Sequence, residues 1–189
     1  FYGVRESAST AAADSQRSAD QRVILRALGM IDADGEPTWR HTAATVLDMY
    51  RRDEQSFAHE REKMIVACSQ CHTRARAEQE MRSSDTVLGA ADSVMARAIG
   101  IVGDLYRDGL LTPTAQQESA YPDLLAVGPD SAPIEHRLRR MFFRHRGRAF
   151  MGSFHKSPEH ALWEGWRAMT EELVVIEDMA ARIRRESAP

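Results

Sequence analysis

Residues 81–105, MRSSDTVLGAADSVMARAIGIVGDL, carry the most regular hydrophobic pattern of this chain. Apolar residues recur every seven positions, with a second apolar position between them, over more than three turns. The positions are Met81, Leu88, Ala91, Met95, Ala98, Val102 and Leu105, with Ser84 as a polar exception. This spacing predicts a long helix with one narrow apolar seam. The helix should end near Asp108 and Gly109, where glycine suits a left-handed cap.

A second seam lies near the C-terminal end, within residues 162–183. Its positions are separated by steps of 4, 3, 4, 3, 4 and 3 residues, at Leu162, Trp166, Met169, Leu173, Ile176, Ala180 and Ile183. Ser157 and Pro158 suit the N-cap and the first turn of the helix that carries it. No segment alternates polar and apolar residues as a strand would. The sequence therefore predicts an all-α fold of long helices with heptad-like seams.

Both seams are narrow. They contain about two apolar residues in seven, whereas the buried stripe of a self-contained globule usually has about three. The two long helices could pack on each other as an antiparallel pair within one chain, or each could pack against other subunits. The periodicity alone leaves both arrangements open.

The only two cysteines of the chain stand just upstream, in ACSQCHTR, residues 67–74. A redox dithiol can use such a pair, usually near a βαβ pattern, and this sequence shows none. A zinc site needs four ligands, so Cys68, Cys71 and His72 would need one more histidine. Covalent haem attachment needs two thiols and a neighbouring histidine for the iron, and this stretch supplies all three.

Because the haem interpretation needs no further residue, we predict one covalent haem c on Cys68 and Cys71, with His72 as the proximal iron ligand. Haem c is attached on the oxidising side of a membrane, which predicts a periplasmic or otherwise extracytoplasmic location. No signal peptide is visible, so we expect the sequence to be a mature form or a piece of a longer protein.

An electron-transfer haem needs a sixth iron ligand, which is a histidine or a methionine. The remaining histidines are His41, His59, His136, His145, His155 and His160. If one helix joins His59 to His72, they are roughly 20 Å apart, too far to bind one iron. His145 follows Phe142 by one turn on an otherwise buried face. His155 precedes the last helix, in a loop that could fold over a haem. His145 and His155 are therefore the alternative candidates for the distal ligand.

Composition narrows the classes of partner. The chain has 189 residues and a formal net charge of −3, which implies no general affinity for nucleic acid or anionic membrane. Its longest aliphatic run is LVVI, far too short for a membrane span. We expect a peripheral N-terminal arm (1–20), helices carrying the cysteine motif (21–111), a loop (112–132) and C-terminal helices that support oligomerisation (133–189).

Several stretches are informative when they are taken together. They are ALGMIDADGEPT, EREKMIVACSQCHTRARAEQE, DLYRDGLL, YPDLL, IEHRLRRMFFRHRGRAFMGSFHKSPEHALWEGW and the closing helix. From about residue 23 onwards, they resemble the C-terminal third of the octahaem hydroxylamine oxidoreductase (HAO) family. The Cys-x-x-Cys-His motif is generic to c-type cytochromes, whereas FHKSPEHALWEGW is far more particular.

The resemblance implies helices around a chain of closely spaced haems, and C-terminal long helices that build a homotrimer. It therefore favours contacts between subunits for both seams. Cys68 and Cys71 would carry the last haem of the series, with His72 as its proximal ligand. The family moves electrons between small nitrogen compounds and partner cytochromes.

Two departures from the family matter. The family has eight haem motifs and this chain has one, so oxidoreductase activity is expected only together with a haem-rich chain or an N-terminal region of the same protein. Oxidative members link a tyrosine to the catalytic haem of a neighbour, and His160 takes that tyrosine's expected place. This difference favours a reductive or purely electron-carrying role.

We therefore expect electron transfer by the haem-bearing C-terminal part of an HAO-like multihaem protein. A free-standing monohaem electron carrier and a haem-stabilised oligomerisation module are the alternatives.

Overall fold

The computed structural model describes Glu6 and residues 16–50, 53–117, 119–154 and 156–187. The α-helices in these ranges are α1 (Gln16–Ala27), α2 (Trp39–Val46), α3 (Glu54–Cys68), α4 (Arg74–Arg107), α5 (Pro133–Arg140), α6 (Gly147–Phe154) and α7 (Ala168–Glu186). Two π-helical segments are π1 (Met141–Arg146), between α5 and α6, and π2 (Glu159–Arg167), before α7. The described residues form no strand, only an isolated bridge between Ile31 and Pro37. The predicted all-α fold class is confirmed.

Helix α4 is the centre of the fold, because its seam packs in the main core. Every position of the predicted seam is buried, from Met81 to Leu105. Helices α1, α6 and α7 pack along it. The helix begins after Thr73, whose Oγ1 accepts a hydrogen bond from the backbone N–H of Arg76 at 3.3 Å. It ends as predicted, before Gly109 at φ +70°.

By length and composition, α4 is the one described helix that could cross a membrane. The core helix of a folded domain meets the same criterion, and 44% of the apolar stretch of α4 is buried inside the chain. The packing of its seam on α1 and α7 accounts for this apolar character.

The C-terminal seam differs from its prediction. Its central positions are buried in the core that α7 shares with α4, and they are Met169, Leu173, Ile176 and Ala180. The interpretation of both seams as contacts between chains is therefore wrong at these positions and along α4, since the chain covers them itself. Leu162 and Trp166 remain 48% and 40% exposed. They lie in π2, where each turn contains more residues than an α-helical turn, so the periodicity of α7 does not extend back to them.

The two π-helical segments accompany a close approach of backbones. A Cβ atom on Gly165 would lie 2.6 Å from the backbone N of Ala149, and one on Gly152 would collide with the backbone of Ala161. Because neither glycine has a side chain, α6 and π2 cross with their backbones nearly in contact.

The segment between α4 and α5 contains no helix among its described residues, yet it is anchored to the core. Leu124 is fully buried, and its N–H donates to the carbonyl of Ala27 at 2.8 Å. Most of the expected N-terminal arm lies outside the described residues. The described part includes Glu6, which pairs with Arg146, and the start of α1 at Gln16.

Candidate haem site

The Cys-x-x-Cys-His motif forms the turn that joins α3 to α4. Cys68 is the last residue of α3, and its carbonyl accepts hydrogen bonds from the N–H groups of Cys71 at 3.2 Å and His72 at 3.1 Å. These hydrogen bonds form one further turn of the chain after α3, and Thr73 then caps the N-terminus of α4. Both thiols and the imidazole are thereby held within one compact turn.

The chemical state of these residues fits covalent haem attachment. The two cysteines form no disulfide with each other, and Cys68 is half-buried while Cys71 is exposed. His72 is also exposed. Thioether bonds to haem vinyl groups need two accessible thiols, and axial ligation needs an accessible imidazole. In the structure, Cys71 and His72 are exposed and Cys68 is partly accessible.

The surroundings of the motif also fit a large apolar group. Arg61 is the one buried residue of α3. The apolar side chains of this helix are therefore covered only in part, and Val66 is 52% exposed. This side of α3 therefore offers apolar surface that a porphyrin could cover.

Arg61 fixes α3 to the rest of the fold. Its guanidinium forms an ion pair with Asp85 of α4 and donates to the Sδ of Met81 at 3.4 Å. It also lies over the rings of Phe57 and Phe154, at 4.9 and 5.7 Å from their centroids. A buried charge is tolerated because it is paired and hydrogen-bonded. Arg61 thus connects the helix before the motif to both α4 and α6.

Glu62 and Arg74 form a second connection across the motif. Both guanidinium Nη atoms of Arg74 donate to the carboxylate of Glu62, at 2.8 and 2.7 Å. The hydrogen bonds from Arg74 lower the pKa of Glu62 below its usual range. The two residues lie 12 positions apart and belong to different helices. Helical i,i+4 spacing therefore gives no sequence signal for this pair.

A preformed zinc site is not found in the part of the chain that the structure describes. No three side chains of His, Cys, Asp or Glu converge there. Covalent haem requires no such cluster, because its iron is already held by the porphyrin and takes only axial ligands from the protein.

The structure does not bring His145 close to the motif. Its Nδ1 lies 3.3 Å from the carbonyl oxygen of Glu164, and its Nε2 lies 3.9 Å from a carboxylate oxygen of Glu172. Burial lowers its pKa below the usual histidine value. The next residue, Arg146, bonds to Asp92 of α4. Asp92 is roughly 27 Å along α4 from the end that adjoins the motif, at 1.5 Å per residue.

His155, the other candidate, lies outside the described residues, but both of its neighbours are described. Phe154 contacts Arg61, as given above. Lys156 donates from Nζ to the carbonyl oxygen of Glu80 and to the hydroxyl of Ser84, both at 3.0 Å. The hydrogen bond and charge of Lys156 lower the pKa of Glu80, and the charges of Arg76 and His72 add smaller effects in the same direction. The neighbours of His155 thus contact the same end of α4 as the motif does.

His160 is exposed, and its Nδ1 lies 3.3 Å from the hydroxyl of Ser157. Its imidazole therefore lies at the start of π2, on the surface of the described chain.

A buried ionic cluster was missed at the sequence level. Arg146 is 4% exposed and donates to Asp92 at 2.7 Å and to both carboxylate oxygens of Glu6, at 3.0 and 2.5 Å. Burial raises the pKa of Tyr50 nearby, and the charge of Glu6 adds to this effect. The residues come from four separate parts of the chain, so no local pattern could reveal the cluster.

Comparison with known proteins supports the fold. No known protein family matches this sequence, and no curated protein matches it. Among solved structures, the chain is similar to a reducing HAO-like protein complex of Kuenenia stuttgartiensis, with a TM-score of 0.63 and 20% sequence identity. The match covers 73% of this chain and 36% of that chain, so this chain spans about a third of the similar protein. The chain thus shares its helical fold with part of an HAO-like protein.

Proposed function

We propose that this chain is an electron-transfer unit that carries one covalent haem c within an HAO-like multihaem assembly. The observation that carries the proposal is the exposed Cys-x-x-Cys-His turn, with two cysteines that form no disulfide with each other, on a fold shared with an HAO-like complex. Cys68 and Cys71 form the thioether bonds, and His72 is the proximal iron ligand.

Haem c, when bound, supplies a one-electron Fe(III)/Fe(II) couple. The protein residues hold it in place. Cys68 and Cys71 anchor the porphyrin through the turn, and the partly covered side of α3 shields it from water. Arg61 and the Glu62–Arg74 pair hold α3 against α4, so His72 keeps its orientation when the iron changes charge.

For the distal ligand we propose His155. Two contacts support it: Phe154 with Arg61, and Lys156 with Glu80. Both bring the neighbours of His155 to the end of α4 that adjoins the motif. His145 is the weaker candidate, because its ring lies against Glu164 and Glu172 at a distant level of α4.

The rest of the assembly is proposed from the extent of the structural match. The similar HAO-like chain is longer, and 36% of it is covered. We propose that a haem-rich chain, or further sequence of the same protein, supplies the catalytic haem. Small nitrogen compounds are the substrates of that assembly, a partner cytochrome exchanges electrons with it, and both act outside the cytoplasm.

A mass measurement tests the attachment. Under denaturing conditions, the intact protein should carry one haem, and the double variant Cys68→Ala, Cys71→Ala should carry none. Ser69→Ala, inside the same turn, is the matched control and should retain the haem. Haem that extracts into acidic acetone from the unaltered protein would contradict covalent attachment.

Spectra test the ligands. The reduced protein should show a low-spin spectrum with two histidine ligands. His155→Ala should convert it to high spin while the haem stays attached, and His145→Ala should leave it low spin. A high-spin spectrum of the unaltered protein would contradict the proposed distal ligation.

A free-standing monohaem carrier is the second candidate, and the buried seams favour it. Because α4 and α7 close the core within one chain, the chain has a hydrophobic core of its own. Native mass spectrometry separates the two candidates. A particle that carries further haems, on a second polypeptide or on further sequence of the same one, supports the multihaem assembly, whereas one haem per isolated chain supports the carrier.

A further inference from the structure

A cleft of about 290 Å³ lies between the end of α1, the turn at 29–38 and the loop at 119–123. Tyr121, in its wall, packs on Gly103 of α4 at 3.3 Å from the position of a Cβ atom there. Gly103 is roughly 40 Å along α4 from the Cys-x-x-Cys-His turn, at 1.5 Å per residue. The cleft is therefore a separate site, and nothing in the proposed haem function uses it.

Among the described residues, four charged side chains line the cleft, and three of them already have hydrogen-bond partners in the chain. Arg40 donates through Nη1 to the carboxylate of Asp123 at 2.9 Å and to the carbonyl oxygen of Leu28 at 3.2 Å. Asp123 also accepts from the N–H groups of Leu125 and Ala126, at 2.9 and 3.2 Å. These bonds order the loop and leave Asp123 well supplied with donors.

Asp32 is the third of these side chains. Its Oδ1 accepts from the backbone N–H groups of Asp34 and Glu36, both at 2.9 Å. This carboxylate closes the turn at 32–36, as aspartate often does at such positions. It forms no ion pair with Arg26 in the structure.

Arg26 is the fourth. The Cζ atom of its guanidinium lies over the ring of Tyr121, 3.9 Å from the ring centroid, and the side chain is half-buried. Among the described residues, no carboxylate, carbonyl or hydroxyl accepts a hydrogen bond from it. Stacking occupies the face of a guanidinium but leaves the N–H groups in its plane available. Two parallel N–H groups match the two oxygens of a carboxylate.

Tyr121 gives this arrangement its rigidity. One edge of its ring rests on Gly103, where any side chain would crowd it, and its face carries Arg26. Burial raises the pKa of Tyr121, against the opposing effect of the charge on Arg26.

We propose that this cleft binds a small carboxylate, held by the in-plane N–H groups of Arg26. The class of ligand follows from the planar fork of a stacked arginine, which pairs with two coplanar oxygens better than with a tetrahedral anion. The size follows from the volume, which lies at the lower end of the range for small-molecule pockets.

Acetate and acetamide are the test probes, because they share a shape and differ in charge. The readout is the Nε–Hε resonance of Arg26 in the ¹⁵N-labelled full-length chain. Acetate should shift this resonance saturably, together with the amide of Gly29 in the cleft wall, and acetamide should not. A linear, non-saturating shift, equal for both probes, would contradict the proposal.

Variants test the role of the fork. Arg26→Gln should weaken acetate binding at least tenfold, as followed by the amide of Gly29. Arg26→Lys should weaken it severalfold, since lysine keeps the charge but loses the paired donors. Arg184→Gln removes the same charge from an exposed position of α7 and should leave the affinity unchanged. Equal acetate affinity in the unaltered chain and in Arg26→Gln would overturn the proposal.

Discussion

Arg74 donates two parallel hydrogen bonds to Glu62, at 2.8 and 2.7 Å, and so connects the helix before the Cys-x-x-Cys-His turn to the helix after it. Both residues are exposed, so the pair contributes more to the local order of the turn than to global stability. Glu62→Gln should therefore accelerate amide hydrogen exchange at Cys71 and His72 severalfold. Lys63→Gln, which removes the pair between Lys63 and Glu60 within α3, should leave exchange at the turn unchanged. Equal exchange in all three proteins would contradict this role.

The same pair predicts a pH dependence. Hydrogen bonding to Arg74 lowers the pKa of Glu62 in the folded chain, so the folded state binds this proton less readily than the unfolded state. The stabilisation is complete above the unfolded pKa and is lost as pH falls through the lower, folded pKa. The exchange rates at the turn should thus differ between the unaltered protein and Glu62→Gln at neutral pH, and should converge in acid. A difference that persists at the lowest pH would contradict this assignment.

The buried half of the C-terminal seam makes a prediction for stability. Ile176 is fully buried between α7 and α4. Ile176→Ala should lower the free energy of unfolding by about 2–5 kcal/mol, because it removes buried apolar atoms and leaves a cavity. Val175→Ala, next to it and 36% exposed, is the control and should cost far less. Chemical denaturation measures both, and equal small losses would mean that α7 does not pack on α4.

The family resemblance predicts an oligomer. Because the chain buries the centres of both seams, such an oligomer would have to use another, exposed face. Trp163 and Val174 are 60% and 56% exposed, on the side of π2 and α7 that the chain does not cover. If the chain forms a trimer, Trp163→Glu and Val174→Glu should dissociate it without loss of helicity. Light scattering and circular dichroism test this outcome. A compact monomer of the unaltered chain at micromolar concentration would refute the trimer.

The buried cluster around Arg146 makes a second prediction for stability. Asp92→Asn should cost about 3–5 kcal/mol, because it weakens the compensation of a buried guanidinium. The control is Glu177→Gln, which removes a pair between Arg97 and Glu177 on the surface and should cost about 1 kcal/mol or less. Thermal unfolding of the three proteins provides the comparison, and similar midpoints for the two variants would argue against a buried ion pair.

The sequence alone predicted the features that depend on neighbours within a few residues. The seam of α4 and its end before Gly109 follow from helical periodicity and capping, which act over one or two turns. A helical segment does start near Pro158, but it is π2, and no side chain caps it. Cys68, Cys71 and His72 lie within five consecutive residues, so the chain itself keeps them close together. Their chemistry could therefore be predicted without a structure, and haem attachment at these residues stays a prediction.

Only the tertiary structure decided what covers each face. The seams of α4 and α7 look the same whether they meet each other or another subunit, because periodicity reports that a face is apolar but not what it packs against. The close crossing of α6 and π2, which Gly152 and Gly165 permit, is likewise a contact between helices that periodicity does not report. The Glu62–Arg74 pair, the Arg146 cluster and the cleft around Arg26 join residues distant in the chain. These interactions form only when the helices have packed together. No local pattern in the sequence can therefore predict them.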